Sequence, residues 1–150
     1  MKRISIILSV AALLAVLGPG PQLHAGASDG TAYIPTDAER ARWTMADMRT
    51  LAIALAAYHQ DNGKYPAGAT LDQAISSVEP IYVRHAPRKD AWGTGFRYIS
   101  DKDLSGFTLV SAGADGAFDE KTWTEDKTSE DFSDDAVVRN TDFIRNWVYR

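Results

Sequence analysis

The sequence contains no cysteine and no cluster of basic residues. Without cysteine, no disulfide can stabilise the domain, although small exported domains often depend on disulfides. Lys2 and Arg3 belong to a segment that we expect to be removed, which leaves 14 basic residues against 20 acidic ones and a net charge near −6. This balance argues against nucleic acid and anionic membrane surfaces as partners, because Lys and Arg side chains bind both.

Sequence signatures of common enzymes are also missing. The chain has no Cys nucleophile, no His-Glu-x-x-His, no Gly-x-Ser-x-Gly and no phosphate-binding loop. His59 and His85 are the only histidines after residue 27. His59 lies close to Asp61 and is a candidate base, but a capping or packing role is more common for such a histidine. We therefore expect a protein that is not an enzyme.

Residues 1–27 have the pattern of a cleaved secretory signal peptide. Lys2 and Arg3 precede an apolar run over residues 4–17, and Ala-Gly-Ala at residues 25–27 is typical of a signal peptidase site. The run is shorter than the roughly 20 residues that span a bilayer, so we expect no stable membrane span after processing. Residues 28–36 then form a flexible leader, residues 37–150 form the domain, and the protein is periplasmic or secreted.

Two capping patterns predict two helices. Thr-Asp-Ala-Glu at residues 36–39 marks a helix start, and apolar residues continue at three- to four-residue steps to residue 58. Asp-Asn-Gly at residues 61–63 is typical of a helix end, with Gly63 in the left-handed conformation. Thr70 begins a second capping pattern, which predicts a short helix through Val78.

The rest of the chain predicts short strands and one long loop. Aromatic and β-branched runs at residues 96–99 and 107–110 predict a hairpin with a loop of about six residues. Residues 111–135 read as a long acidic loop, and residues 136–138 as a last short strand before an aromatic tail. These elements indicate an α+β domain with a long N-terminal helix and an acidic loop near the C-terminus.

Two segments offer the carboxylates and carbonyls that calcium prefers. Asp101, Asp103 and Ser105 match the opening of an EF-hand loop, but Ala112 stands where a bidentate Glu belongs, so a polar hairpin turn is favoured. The second segment is Ser-Ala-Gly-Ala-Asp-Gly at residues 111–116, completed by Ser-Asp-Asp at residues 133–135. Spacing alone leaves a calcium site and an ordinary acidic loop both open.

Four motifs occur together in a characteristic order. They are Asp-Asn-Gly-Lys-Tyr-Pro at residues 61–66, Asp-Ala-Trp-Gly-Thr-Gly-Phe-Arg-Tyr at residues 90–98, the segment 111–116, and Asp-Asp at residues 134–135. Over about residues 37–138 this pattern resembles the soluble head domain of the major (G-type) pseudopilin of type II secretion systems. The resemblance implies a long helix packed on a small antiparallel sheet, with calcium bound in the loop after the sheet.

By position, the resemblance also implies a set of calcium ligands. Asp115 would supply a carboxylate, Ala112 and Ala117 would supply backbone carbonyls, and Asp134 or Asp135 would close the site. Compared with the family pattern, residues 118–132 form an insertion between the two ligand groups. Its acidic residues are near enough in sequence to compete for the closing position; they are Asp119, Glu120, Asp126 and Asp131.

The N-terminal region differs from that family. Residues 1–36 contain no prepilin-peptidase motif ahead of an apolar stalk helix. We therefore expect an exported, calcium-stabilised, non-catalytic domain with a structural or protein-interaction role linked to type II secretion. Its partners would be pseudopilins or other secretion-system components, and an extracytoplasmic hydrolase or inhibitor using the acidic loop is the alternative.

The signal-peptide hypothesis makes a direct prediction. Protein recovered from the cell envelope should begin at or near Ser28 and should stay in the aqueous fraction, because signal peptidase removes the apolar run. N-terminal sequencing of that protein checks the cleavage site. Recovery of the full-length chain only in detergent would contradict the hypothesis.

Overall fold

The computed structural model describes residues 32–148, nearly all of which belong to the compact unit Ile34–Arg150. The predicted signal peptide and most of the leader lie outside the described residues, as does Tyr149. Residues 32–36 have no regular secondary structure and lead into the first helix. The domain prediction from residue 37 onwards therefore starts where regular structure starts.

Both predicted helices are present, with the predicted caps. Helix α1 is Asp37–Asn62; the Thr36 side chain accepts from the amide of Glu39, whose carboxylate binds back to the Thr36 amide. The helix ends at Gly63, which has a φ of 69° and donates its N–H to the carbonyl of His59. Helix α2 is Leu71–Val78, capped by the Thr70 hydroxyl.

Five strands form one sheet in the order β1-β2-β4-β5-β3. Neighbouring strands are antiparallel, except that β3 runs parallel to β5. The first two strands are the predicted hairpin. The strands are β1 Arg97–Ser100, β2 Phe107–Ser111, β3 Lys127–Ser129, β4 Ala136–Arg139 and β5 Asp142–Trp147.

The α+β prediction is confirmed, but three details of it are wrong. The aromatic tail after residue 138 is strand β5, because a turn at Asn140, with a φ of 56°, folds it back onto β4. The long loop has secondary structure of its own: β3 and two 3₁₀ turns, Gly113–Asp115 and Glu120–Thr122. The parallel β3–β5 pair also makes the sheet mixed rather than purely antiparallel.

The main core lies between the helices and one face of the sheet. Met48, Leu51 and Leu55 of α1 are almost fully buried in one cluster with Leu109 of β2 and Val138 of β4. Trp92 packs on this core, donates its indole N–H to Asp37 at 2.8 Å and meets Trp147 edge to face. This arrangement confirms the helix-on-sheet packing.

The opposite face of the sheet is covered as well. Because successive strand residues point to opposite faces, Val110 and Val137 point away from α1. They form a second buried cluster with Trp123, and Phe118 and Ile144 pack against it. Trp123 and Phe118 come from residues 118–132, which the resemblance implies to be an insertion and which we call the inserted segment; with the two valines they form a second small core. No helix within the described residues is both long and apolar enough to cross a membrane.

The packing of α1 predicts which of its leucines matter most for stability. Leu51→Ala or Leu55→Ala should lower the free energy of unfolding by about 2 to 5 kcal/mol, because each empties a fully buried site. Ile53→Ala, on the exposed side of the same helix, should change it by less than about 0.5 kcal/mol. Urea denaturation of the three variants checks this, and small losses at both leucines would refute the packing.

Candidate functional site

The two segments expected to share a calcium site lie side by side. Gly113 and Gly116 both have a φ near 70° and lie at the two ends of the 3₁₀ turn that begins at Gly113. The amide of Ala114 donates to the carbonyl of Phe132 at 2.8 Å. A Cβ atom at Gly113 would collide with the carbonyl oxygens of Phe132 and Asp134, so this close approach requires glycine.

A cavity of about 250 Å³ opens where these segments meet the inserted segment. Its lining includes four carboxylates and two hydroxyl side chains, and no basic side chain is part of it. Ala112 is fully buried nearby but does not line the cavity. The lining residues are Asp115, Ala117, Phe118, Asp119, Thr122, Ser133, Asp134 and Asp135.

Asp135 has the most unusual environment of the four carboxylates. Its side chain is buried, with only 4% of the residue exposed. Oδ2 accepts hydrogen bonds from the amide of Asp119, at 2.9 Å, and from the indole N–H of Trp123. Oδ1 is buried too and has no hydrogen-bond partner. Burial raises the pKa of this carboxyl group above its usual range, and the hydrogen bonds from Trp123 and Asp119 act against that increase.

Asp134 is differently placed, because basic side chains already neutralise it. Its Oδ2 accepts from the Ser129 hydroxyl and lies 3.5 Å from Nη2 of Arg145 and 3.7 Å from Nζ of Lys127. The Arg145 guanidinium is buried and also pairs with Glu125 at 3.4 Å. The structure therefore gives Asp134 an ion-pairing role that spacing alone did not reveal.

The remaining acidic candidates separate into two groups. Asp115 and Asp119 line the cavity, and each accepts a local backbone N–H through Oδ1, from Ala117 and Lys121 respectively. The other three do not line it: Glu120 pairs with Arg97 at 2.6 Å, Asp131 accepts from the Ser133 amide, and Asp126 lies elsewhere in the loop. Among the described residues, no three His, Cys, Asp or Glu side chains converge closely enough to hold a metal on their own. Any cation here would therefore need backbone carbonyls or water as well.

The EF-hand-like segment forms a hydrogen-bonded hairpin turn. The Asp101 amide donates to the carbonyl of Gly106, and the Leu104 amide donates to the carbonyl of Asp101. Oδ1 of Asp103 accepts from both the amide and the hydroxyl of Ser105, and these bonds lower the pKa of that carboxyl group. Asp103 thus stabilises the turn locally.

The two histidines lie outside the carboxylate-lined cavity and outside a second cavity on the other side of Phe118. The ring of His59 stacks on Tyr65 with centroids 4.4 Å apart, which fits the packing role, and His85 is exposed. The second cavity, of about 260 Å³, lies between the start of α2 and β1 and includes Arg97 and Phe118 in its lining. Neither lining includes a histidine.

Sequence reasoning missed Trp123 and Arg145 as residues of this site. Trp123 is the one large apolar side chain between Phe118 and Phe132 of the acidic insertion, which was an available signal. Arg145 lies in a strand that was read as a tail, so its burial beside Asp134 had no sequence signal. Trp147 is buried, whereas Trp43 is 48% exposed.

Comparison with known proteins tests the resemblance. No curated protein matches the chain. One solved structure that it resembles is the major pseudopilin of the type 2 secretion system of enterohaemorrhagic Escherichia coli. The match has 23% identity and a TM-score of 0.40, and covers 58% of this chain and 90% of that one. The profile of the family described as type II secretion system protein G matches residues 34–129, more than half of the chain. The chain therefore belongs to the type II secretion system protein G family.

Proposed function

We propose that this chain is an exported, non-catalytic pseudopilin head domain that calcium stabilises and that contacts other secretion-system proteins in the periplasm or after release. The family supplies the secretion context. The observation that carries the calcium proposal is the buried, unpartnered Oδ1 of Asp135 beside a cavity lined by carboxylates. Asp134 and Asp135 lie beyond the matched residues, so the proposal depends on this chain's own geometry.

The residues at the cavity fit a hard divalent cation. A buried carboxylate oxygen without a partner is costly, and the neighbouring acidic groups repel one another. Bound calcium would offset both costs, because it carries positive charge and would coordinate the unpartnered oxygen. Asp115 and Asp135 would provide carboxylates and Ala117 would provide a backbone carbonyl, whereas Ala112, which the resemblance also implies, does not line the cavity. Asp135 is the better closing ligand, because Arg145 and Lys127 already neutralise Asp134.

A non-catalytic role is consistent with the position of the histidines. The alternative of an extracytoplasmic hydrolase or inhibitor would need His59 or His85 beside Ser or Asp in a deep pocket. Instead His59 stacks on Tyr65 and His85 is exposed, so the alternative gains no support from the described residues.

The outer side of α1 supports the interaction role. Five uncharged residues follow a three-and-four spacing along this helix, which is the spacing of a seam between paired helices. Trp43 is 48% exposed and Ile53 is 61% exposed within this stripe. Arg42 and Arg49 lie along one edge of the stripe and Asp47 lies along the other, an arrangement suited to a partner helix with complementary charges. We call these residues the outer stripe: Trp43, Ala46, Thr50, Ile53 and Ala57.

The outer stripe predicts a specific contact with a helix of another pseudopilin. Because the chain has no cysteine, Ile53→Cys introduces a single reactive thiol. In cells that express the secretion system, a thiol-to-amine crosslinker should join the new cysteine to a lysine of a pseudopilin, identified by mass spectrometry. Ile81→Cys, at an isoleucine that is 79% exposed outside the stripe, is the control. Equal crosslinking from both positions, or none from residue 53, would contradict the interaction.

The calcium proposal predicts a cation-dependent stability. If calcium binds only the folded state, stability rises as RT ln(1 + [Ca]/Kd), which is roughly 2.7 kcal/mol at a hundredfold excess over Kd. Chelation should therefore lower the melting temperature measured by calorimetry. Asp115→Ala and Asp135→Asn should each remove most of this response.

The hairpin turn provides matched controls for that prediction. Asp101→Ala and Asp103→Ala remove carboxylates that do not line the cavity, so the calcium response should persist in both. A wild-type protein that melts at the same temperature in calcium and in chelator would show that the cavity is not a metal site.

A further inference from the structure

We propose that Trp123 is a positioning residue for the cation site, and that residues 118–125, the lid segment, pack on the sheet more firmly when the cation is bound. This inference rests on the calcium site proposed above. The lid segment lies in residues 118–132, which the resemblance described above implies to be an insertion relative to the family pattern. It would therefore be this chain's own addition to the site.

The first observation is that one short segment supplies both hydrogen bonds to a single oxygen of Asp135. The amide of Asp119 and the indole N–H of Trp123 both donate to Oδ2. These two donors fix the carboxylate in one orientation and use only one of its oxygens. Oδ1 is left buried and without a partner next to the cavity. A cation would thus meet a single, already oriented oxygen of Asp135.

The second observation is that the other side of Trp123 is anchored in the second core. Trp123 is 9% exposed and is buried with Val110 and Val137. Phe118 meets it edge to face, with centroids 6.1 Å apart. Trp123 therefore contacts the sheet through its ring and the candidate ligand through its nitrogen. A change at one contact is transmitted to the other through a single rigid side chain.

The third observation is that Arg97 of strand β1 contacts the lid segment. Its guanidinium lies 4.1 Å from the ring centroid of Phe118 and 5.3 Å from that of Trp123. Nη1 of the same group pairs with Glu120 at 2.6 Å. Three residues of the lid segment are thus held by one side chain of strand β1. These contacts attach the lid segment to the sheet without the cation.

Coupling between the two contacts must be reciprocal. If packing of Trp123 orients Asp135 for the cation, then cation binding stabilises the packing of Trp123 by the same free energy. Groups that hydrogen-bond to a metal ligand typically change metal affinity about 10- to 100-fold when they are removed. Removing only the indole N–H should therefore weaken calcium binding by about tenfold or more.

The test compares two variants that remove the same kind of hydrogen bond. Trp123→Phe keeps an aromatic ring in the second core but removes the N–H that donates to Asp135. The control, Trp92→Phe, removes an indole N–H that donates to Asp37, away from the cavity. Isothermal titration with calcium chloride should show about tenfold or greater loss of affinity for Trp123→Phe, and wild-type affinity for Trp92→Phe.

The outcomes distinguish this inference from the calcium proposal. Calcium binding that is equally tight in wild type and Trp123→Phe would overturn the positioning role and leave the site intact. A wild type that binds no calcium would overturn both.

A measurement on the wild type keeps the inference testable if Trp123→Phe does not fold. Calcium should slow hydrogen exchange of backbone amides in residues 118–125 and should shift the indole N–H resonance of Trp123 in ¹⁵N-labelled protein. The indole resonance of Trp43, on the outer stripe, should stay unchanged. Unchanged exchange in the lid segment and an unchanged Trp123 resonance, in protein that binds calcium, would overturn the inference.

Discussion

The buried carboxylate of Asp135 accepts hydrogen bonds from Asp119 of the acidic loop and from Trp123, whose ring packs on the face of the sheet opposite α1. A charged group in such a place is costly unless hydrogen bonds or a counter-charge offset its loss of water. Here two donors from the inserted segment satisfy Oδ2, while Oδ1 has no partner. Because Ala136 begins strand β4 directly afterwards, the position of this carboxylate is fixed by the sheet. The loop, the second core and the candidate cation site all meet at this residue.

The alternation of side chains along the central strands explains why the insertion folds onto the sheet. Leu109 and Val138 point towards α1, whereas their neighbours Val110 and Val137 point the other way and need cover. The aromatic rings of the inserted segment provide that cover. The chain has no disulfides, and two small cores on opposite faces of one sheet stabilise the domain instead.

The parts of the fold that depend on local sequence could be predicted. The capping box at Thr36, the N-cap at Thr70, the left-handed Gly63 and the β1–β2 hairpin all follow from interactions within a few residues. The sequence predicts only an aromatic tail where strand β5 lies, because its apolar and polar residues do not alternate regularly. Charged and polar residues interrupt the apolar ones, and a bulge at Val137 and Val138 shifts its register against β4.

The site was predictable only to the level of segments. The glycines of residues 111–116 and the acidic pair at residues 134–135 indicated two segments that meet, and the structure brings them together. Which carboxylate has a free oxygen could not be predicted, because it depends on distant residues. Arg145 pairs with Asp134, and the indole N–H of Trp123 donates to Asp135, across gaps of ten residues or more in sequence.

If the unpartnered oxygen of Asp135 binds calcium, an anomalous difference map from crystals grown with calcium should show the ion at this residue. The peak should lie about 2.3 to 2.6 Å from Oδ1 of Asp135, with Asp115 among the surrounding ligands. The same map from crystals grown with chelator should lack that peak. A map from calcium-grown crystals with no peak at Asp135, or with a peak only at the hairpin turn around Asp103, would show that Asp135 does not bind calcium.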